Sequence, residues 1–349
     1  MKIYAHTPAL IQFTSWEGIF IRRIVHAASQ ALLCASVLCM LTLPQTSMAQ
    51  RAAYPSKPIK LIVAYPSGGG TNAMARLLAE HLSKSLGPMI VENRTGAGGR
   101  IGAQSVARAE PDGYTLFFAA DAELVIAPVV IKSMPYDPIK DFAQITTIAS
   151  VPYVLAVHPD VPVNSVSEFI EYAKANPNKL NHGMFGQGSA THLLGEQFND
   201  VTGIRTVNIA FAGSGPQITA LLGGHVHYAF LTPLSLELVK AGKLKALSVT
   251  SRERLASAPG IPTMIEAGLQ GFRAGSWYSL HAPAGTHSAI IERIRFEVTH
   301  ALQDPNLIKA ANDRAMLLAA SSPSELTQFM QAETDKWQKL ANKIGLLPD

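Results

Sequence analysis

The chain has 349 residues, 48% of them hydrophobic and 15% charged, and carries a net charge of +4. That length exceeds one average domain, and that composition is globular rather than disordered. Lys and Arg are scattered among Asp and Glu without a basic block, which argues against nucleic acid as a partner.

The first fifty residues differ from the rest. Arg22, Arg23 and His26 precede an apolar run from Ala31 to Leu43. Pro44 breaks that run, and Ser47-Met48-Ala49 places small residues where signal peptidase reads. The pattern predicts a signal peptide over residues 1–49, cleaved after Ala49, and an exported, periplasmic mature chain. The apolar run is shorter than the roughly 20 residues of a membrane span. Arg22-Arg23 offers twin-arginine export as an alternative, although the residues after it match that motif poorly. Leu33 and Leu38 stand where a lipoprotein needs a small residue. Both cysteines, Cys34 and Cys39, lie in the segment to be removed. The mature chain is thus expected to have no thiol for a disulfide, a nucleophile or a Cys-based metal site, as suits an oxidising compartment.

Downstream, short apolar runs alternate with helical segments. Strands are predicted at 59–65, 89–92 and 114–119, with helices at 72–86 and 98–109 between them. The alternation resumes with helix 166–175, strand 182–185, helix 189–201, strand 206–211 and helix 214–222. Strand 226–231, helix 235–241 and strand 244–250 follow. The tail from Ser288 reads as helical, with fresh starts at Pro305 and Pro323. Such alternation implies parallel sheets covered on both faces. Tyr153 to Val157 and Trp277 to His281 read as crossings between two α/β lobes: residues 50–155 with 273–349 form lobe 1, and 156–272 form lobe 2. Ligands of such sheets sit outside the carboxyl ends of the strands.

Tyr65-Pro66-Ser67-Gly68-Gly69-Gly70-Thr71-Asn72 joins the first strand to the first helix. Its glycines bring bare N–H groups close to a ligand. The helix start leaves N–H groups unpaired and carries partial positive charge, which together make a seat for a carboxylate or phosphate. The same residues also read as a tight turn capped by Thr71 or Asn72. A side chain at Gly69 or Gly70 is expected to block the ligand or force an unfavourable backbone angle. No Walker loop is present, since no Gly-Lys-Ser/Thr follows. Gly96 to Gly102 is a near miss for a dinucleotide fingerprint, with Ile101 where the third glycine belongs and Asp121 as the candidate acid.

Two more glycine-rich helix starts follow strands: Gly186-Gln187-Gly188-Ser189-Ala190, and Phe211-Ala212-Gly213-Ser214. Ser189 and Ser214 are read either as anion donors or as plain caps. Neither segment fits the hydrolase nucleophile elbow. Asp121 and Thr232, each just past a strand, join the candidate ligand residues. His225-Val226-His227 offers two imidazoles without a third ligand, so metal is not expected. Trp277 is read as core or as a ligand stacker.

Several longer stretches resemble one family. They are Tyr54-Pro55-Ser56-Lys57-Pro58-Ile59, the first glycine loop, Val91 to Gly99, Pro111 to Leu116, and Leu221-Leu222-Gly223-Gly224. Ala241 to Leu247, Pro262 to Gly268 and Ala282 to Thr286 complete the series. The mature chain is similar to the Bug-type substrate-binding proteins of the tripartite tricarboxylate transporter family. The resemblance implies a type II periplasmic binding fold that closes by hinge motion around one small organic or aromatic carboxylate. It implies no catalysis and no cofactor, a monomer, and membrane subunits as partners. Delivery to a sensor or regulator is the alternative, and a dehydrogenase is a third reading. Ligand loops are implied at Ser67 to Asn72, Gly186 to Ala190 and Phe211 to Ser214. Three departures stand out: Asn72 replaces a usual Asp, Ile209-Ala210-Phe211-Ala212-Gly213 replaces Val-Pro-Tyr-Lys-Gly, and His227 replaces an Asp.

Overall fold

The computed structural model describes residues 54–272 and 274–346, so the predicted signal segment lies outside the described residues. The alternating pattern forms two sheets, each flanked by helices. The chain begins with β1 (Ile59–Val63), α1 (Gly70–Leu86), β2 (Met89–Asn93), α2 (Arg100–Ala107) and β3 (Thr115–Ala120). A π-helical turn, Ala122–Ile126, leads into α3 (Ala127–Val130) and the long strand β4 (Phe142–Pro152). The second series is β5 (Val154–Val157), α4 (Val166–Ala175), β6 (Asn181–Phe185), α5 (Ala190–Thr202) and β7 (Val207–Phe211). It continues with α6 (Ser214–Leu222), β8 (Tyr228–Leu231), α7 (Leu236–Lys240) and β9 (Lys245–Val249). The chain then returns as β10 (Gly275–Pro283), α8 (Ser288–Ala301), α9 (Pro305–Asn312), β11 (Leu317–Leu318) and α10 (Pro323–Lys343).

The strand order is β11-β4-β10-β3-β1-β2 in lobe 1 and β7-β6-β8-β5-β9 in lobe 2. Within β1, Ile59, Leu61 and Val63 bury against Met74 and Leu78 of α1 and Ile294 of α8, while Ile62 faces Val106 of α2 and Met330 of α10. This period of two places a core on each face of the sheet. Lobe 2 is built the same way, with Leu155, Tyr228 and Phe230 packed on Phe169 of α4 and Phe198 of α5, and Ala229 and Leu231 packed on Leu221 of α6.

Two corrections concern the sheets. Neither is purely parallel: β10 runs antiparallel to β3 and β4, and β5 runs antiparallel to β8 and β9. Strand β4 adds eleven residues of sheet where no strand was foreseen. The crossings are also shorter than the predicted segments. Val154 to Val157 already belongs to the second sheet, and Trp277 to His281 lies wholly inside β10 of the first. Trp277 is core, its ring edge-on to Phe329 at 5.1 Å.

One residue binds both passages. Thr250 donates its N–H to the Tyr153 carbonyl at 2.9 Å, and its Oγ1 accepts the Tyr153 N–H at 2.8 Å. The same hydroxyl donates to the Ala274 carbonyl at 2.5 Å, and the Thr250 carbonyl accepts the Ala274 N–H at 3.4 Å. On the lobe 1 side Gly275 is needed, because a Cβ there would lie 2.9 Å from the Val151 carbonyl oxygen.

Candidate functional site

The predicted ligand residues gather at the carboxyl ends of parallel strands, as the connectivity requires. Ser67 to Thr71 follow β1, and Asp121 follows β3. Gly186 to Ala190 follow β6, Phe211 to Ser214 follow β7, and Thr232 follows β8. The lobes meet beside these loops: a Cβ on Gly188 would touch Val130 at 3.4 Å, and Leu193 of α5 joins the apolar cluster of lobe 1. Farther along, Lys343 of α10 pairs with Asp200 of α5.

In the first loop Ser67, Gly68, Gly69 and Gly70 are exposed. Gly69 stands at the cap position of α1 and supplies no side-chain bond, so neither Thr71 nor Asn72 caps the helix. The first N–H groups of the helix therefore stay open to an anion. The residue whose backbone requires glycine is Gly68, at φ +92°; Gly69, at φ −79° and 3.7 Å from its nearest neighbour, has no backbone angle that demands glycine, which leaves only the ligand's approach to constrain it. Asn72 is buried with both ends of its amide engaged: Nδ2 donates to Asn93 Oδ1 at 3.1 Å, and Oδ1 accepts from Arg76 Nε at 3.0 Å.

Beneath this loop lies a buried acidic floor, of which the sequence pointed to Asp121 but not to Glu123. Glu123, 0% exposed, accepts the Tyr65 hydroxyl on Oε2 at 2.6 Å and the Ala120 N–H on Oε1 at 2.7 Å. Burial pushes its carboxyl up to about 8, against the pull of those two bonds. Asp121, 4% exposed, accepts the Ser276 hydroxyl at 2.5 Å; burial raises it to about 6, with that bond opposing. Tyr65, predicted as a ligand residue, thus spends its hydroxyl on Glu123, and burial followed by that acid lifts its pKa well above the usual tyrosine value. Tyr278 stands in reach of the Thr71 side chain, and a Cβ on Gly70 would lie 3.5 Å from its hydroxyl. The signal available in the sequence was a lone Glu in the apolar stretch Ala122 to Val130, inside a π-helical turn of the kind found at functional sites.

In the second lobe the loop before α5 uses its polar groups on itself. Ser189 caps α5, its hydroxyl accepting the His192 N–H at 3.2 Å. Thr191 accepts the Phe185 N–H at 2.9 Å, and His192 Nδ1 accepts the Gly188 N–H at 3.0 Å. Gly186 and Gly188 have φ of +61° and +74°. Gln187 is exposed and Ala190 half-buried at the same rim. Ser214 is exposed and caps nothing, since Gly213, at φ +133°, holds the cap position of α6 without a side-chain bond. Phe211 is half-buried beside Gly183, and the Thr232 carbonyl accepts both the N–H and the hydroxyl of Ser235.

The Gly96–Gly102 loop serves packing. A Cβ on Gly102 would lie 2.7 Å from the Arg94 carbonyl oxygen and 2.9 Å from Ala64, and the Ile101 side chain folds back over Gly96. His227 accepts the Asn181 N–H on Nδ1 at 2.8 Å, and among the described residues no cluster of three or more metal-ligating side chains forms.

Two α/β lobes joined by two short passages, with loops converging at their strand ends, define a cleft-type binding protein. The chain belongs to the tripartite tricarboxylate transporter family receptors, whose sequence profile matches residues 74–346. It is 35% identical over 295 residues to protein BugT of Bordetella pertussis, covering 84% of this chain and 90% of that protein. Among solved structures, R. palustris Rpa4515 with adipate is 32% identical with a TM-score of 0.75, over 85% of this chain and 100% of that one. MatC from Rhodopseudomonas palustris with bound malate is 30% identical with a TM-score of 0.69, over 82% and 99%.

Proposed function

We propose that the mature chain is a periplasmic receptor that captures one small organic carboxylate between its lobes and passes it to the membrane subunits of a tripartite tricarboxylate-type transporter. The observation that carries this reading is the uncapped start of α1 behind Gly68 to Gly70, which presents bare N–H groups at the carboxyl end of β1. The uncapped start of α6 at Gly213 and Ser214 supplies a second set from lobe 2. Relatives solved with adipate and with malate support a carboxylate as the class. Ligand capture as a monomer, by swinging the lobes about the Thr250 region, completes the reading. Catalysis has no part in it.

The half-buried Phe211 gives the lobe 2 wall an apolar surface, which favours a plain organic or aromatic acid over an amino acid. The test is a thermal-shift screen of dicarboxylates, hydroxy acids and aromatic acids, followed by calorimetry. A ligand specific to the native state raises the melting temperature. A folded protein that no carboxylate stabilises, or that amino acids stabilise best, refutes the corresponding part of the proposal.

A further inference from the structure

Asp121 and Glu123 form a pair of buried carboxyls, and among the described residues neither makes a salt bridge. The charges they feel are acidic: Glu333 of α10 acts on Asp121, and Asp121 on Glu123. Glu333 is already paired with Lys336 at 2.6 Å. Around the pair stand Tyr65 at the end of β1, Tyr153 at the first passage, Tyr278 of β10, and Tyr136, whose hydroxyl bonds the Glu123 carbonyl. Arg100 lies near Tyr136. Two uncompensated carboxylates in such a setting carry a desolvation cost that protonation removes.

The bonding allows that proton. Glu123 Oε2 faces the Tyr65 hydroxyl and Asp121 Oδ1 faces the Ser276 hydroxyl. A hydroxyl accepts as readily as it donates, so protonating either acid reverses a hydrogen bond without breaking one. Glu123 Oε1 meanwhile keeps the Ala120 N–H. The anion seat is close by. Ser276 and Tyr278 stand two residues apart on one face of β10; the first holds Asp121, and the second reaches Thr71 and Gly70 of the first loop.

We infer that this buried carboxyl pair couples ligand capture to proton uptake; the inference rests on the carboxylate reading above. An anion arriving at Gly68 to Thr71 adds negative charge beside the pair and raises its hold on a proton. By linkage, affinity for the anion rises as the pH falls through the range in which the pair titrates. With Asp121 at about 6 and Glu123 at about 8, that range spans neutrality. The buried histidines stay out of it: burial lowers His182 to about 4 and His281 to about 3, and lowers His192 as well.

Adipate and malate are the probes, each titrated by calorimetry at about pH 6 and about pH 8.5, in two buffers of different ionisation enthalpy. Binding should take up a sizeable fraction of a proton at neutral pH and weaken at least about fivefold between the two conditions, since one linked proton allows at most about tenfold per pH unit. Glu123→Gln reproduces the protonated form, its amide facing Tyr65 and its carbonyl facing Ala120. Paired with Asp121→Asn, it should bind with no proton uptake and little pH dependence. Binding by the wild type without proton exchange, or uptake that survives both substitutions, overturns the inference. So does tighter binding of aspartate than of malate without proton uptake, because a ligand ammonium would then neutralise the pair. If neither probe binds, the carboxylate reading fails separately, and infrared spectroscopy of the ligand-free protein still decides. A protonated carboxyl band at neutral pH that disappears in Glu123→Gln upholds the buried proton; its absence in the wild type sinks it.

Discussion

The glycine loops of the two lobes look alike in sequence and differ in how they treat their polar groups. In lobe 1 the start of α1 has no side-chain cap, its glycines are exposed, and a pair of acids lies underneath. In lobe 2 the loop before α5 is already hydrogen-bonded, through Ser189 to His192, Thr191 to Phe185 and His192 to Gly188. A loop that spends its donors internally is rigid and contributes stability; one that leaves them open contributes affinity. Glycine richness alone does not separate the two cases, nor does the hydroxyl residue that follows the glycines; the cap bond itself does, made by Ser189 and absent at the starts of α1 and α6.

The largest expected effect separates the acidic floor from the rest. Glu123 holds its proton up to about pH 8 in the folded state, against about 4.5 when unfolded. Between those values the folded chain binds more protons, so unfolding free energy should fall as pH rises, by on the order of a few kcal/mol. Urea unfolding across that range should show the slope in the wild type and a flatter one in Glu123→Gln; equal slopes break the contrast. Next comes Gly195 on α5, where a Cβ would lie 2.2 Å from the His182 ring. Gly195→Ala should cost about 2–3 kcal/mol of stability as an overpacked core position, measured by the shift in urea midpoint.

Smaller effects sharpen the comparison of the loops themselves. Gly68→Val forces a β-branched residue to φ +92° at the anion seat. Affinity for whichever of adipate or malate binds should drop at least about tenfold, or ~1.4 kcal/mol, as read by calorimetry. Ser189→Ala should do the reverse, removing about 1 kcal/mol of stability with its cap while changing affinity less than about threefold. Asn72→Asp should do least. With position 72 turned to Asn93 and Arg76, the ranking of an acid against its α-amino analogue should stay as in the wild type. A reversal would show that this position acts on the ligand after all.

The parallel strands and the three loops were legible because each rests on a local signal: an apolar run, a glycine cluster, a helix start. Strand β4 was not, because the register shifts of its pairing with β10 interrupt the alternation of buried and exposed residues that marks a strand. The antiparallel course of β5 and β10 follows from where the chain changes lobe without a crossover helix, which no short window records. Ser189 was readable as a cap or a ligand group, and only its bond to His192 shows the cap. Glu123 escaped notice because a single acid has no spacing to betray it. Its meaning comes from Tyr65, fifty-eight residues away in sequence.

The double attachment at Thr250 also bears on the order in which the chain can assemble. Every strand of the second sheet lies between Val154 and Val249, so that sheet can close while the remainder is still being synthesised. The first sheet cannot: β1 pairs early with β2 and β3, but β10 sits between β4 and β3, so β4 and the outer edge of β3 lack a partner until the return passage has arrived. Lobe 2 is therefore expected to complete its sheet first, and Thr250, bonded to Tyr153 on one side and Ala274 on the other, is placed to align the incoming strand. Pulsed hydrogen exchange during refolding should protect β6 and β8 before β4, the reverse of their order along the chain.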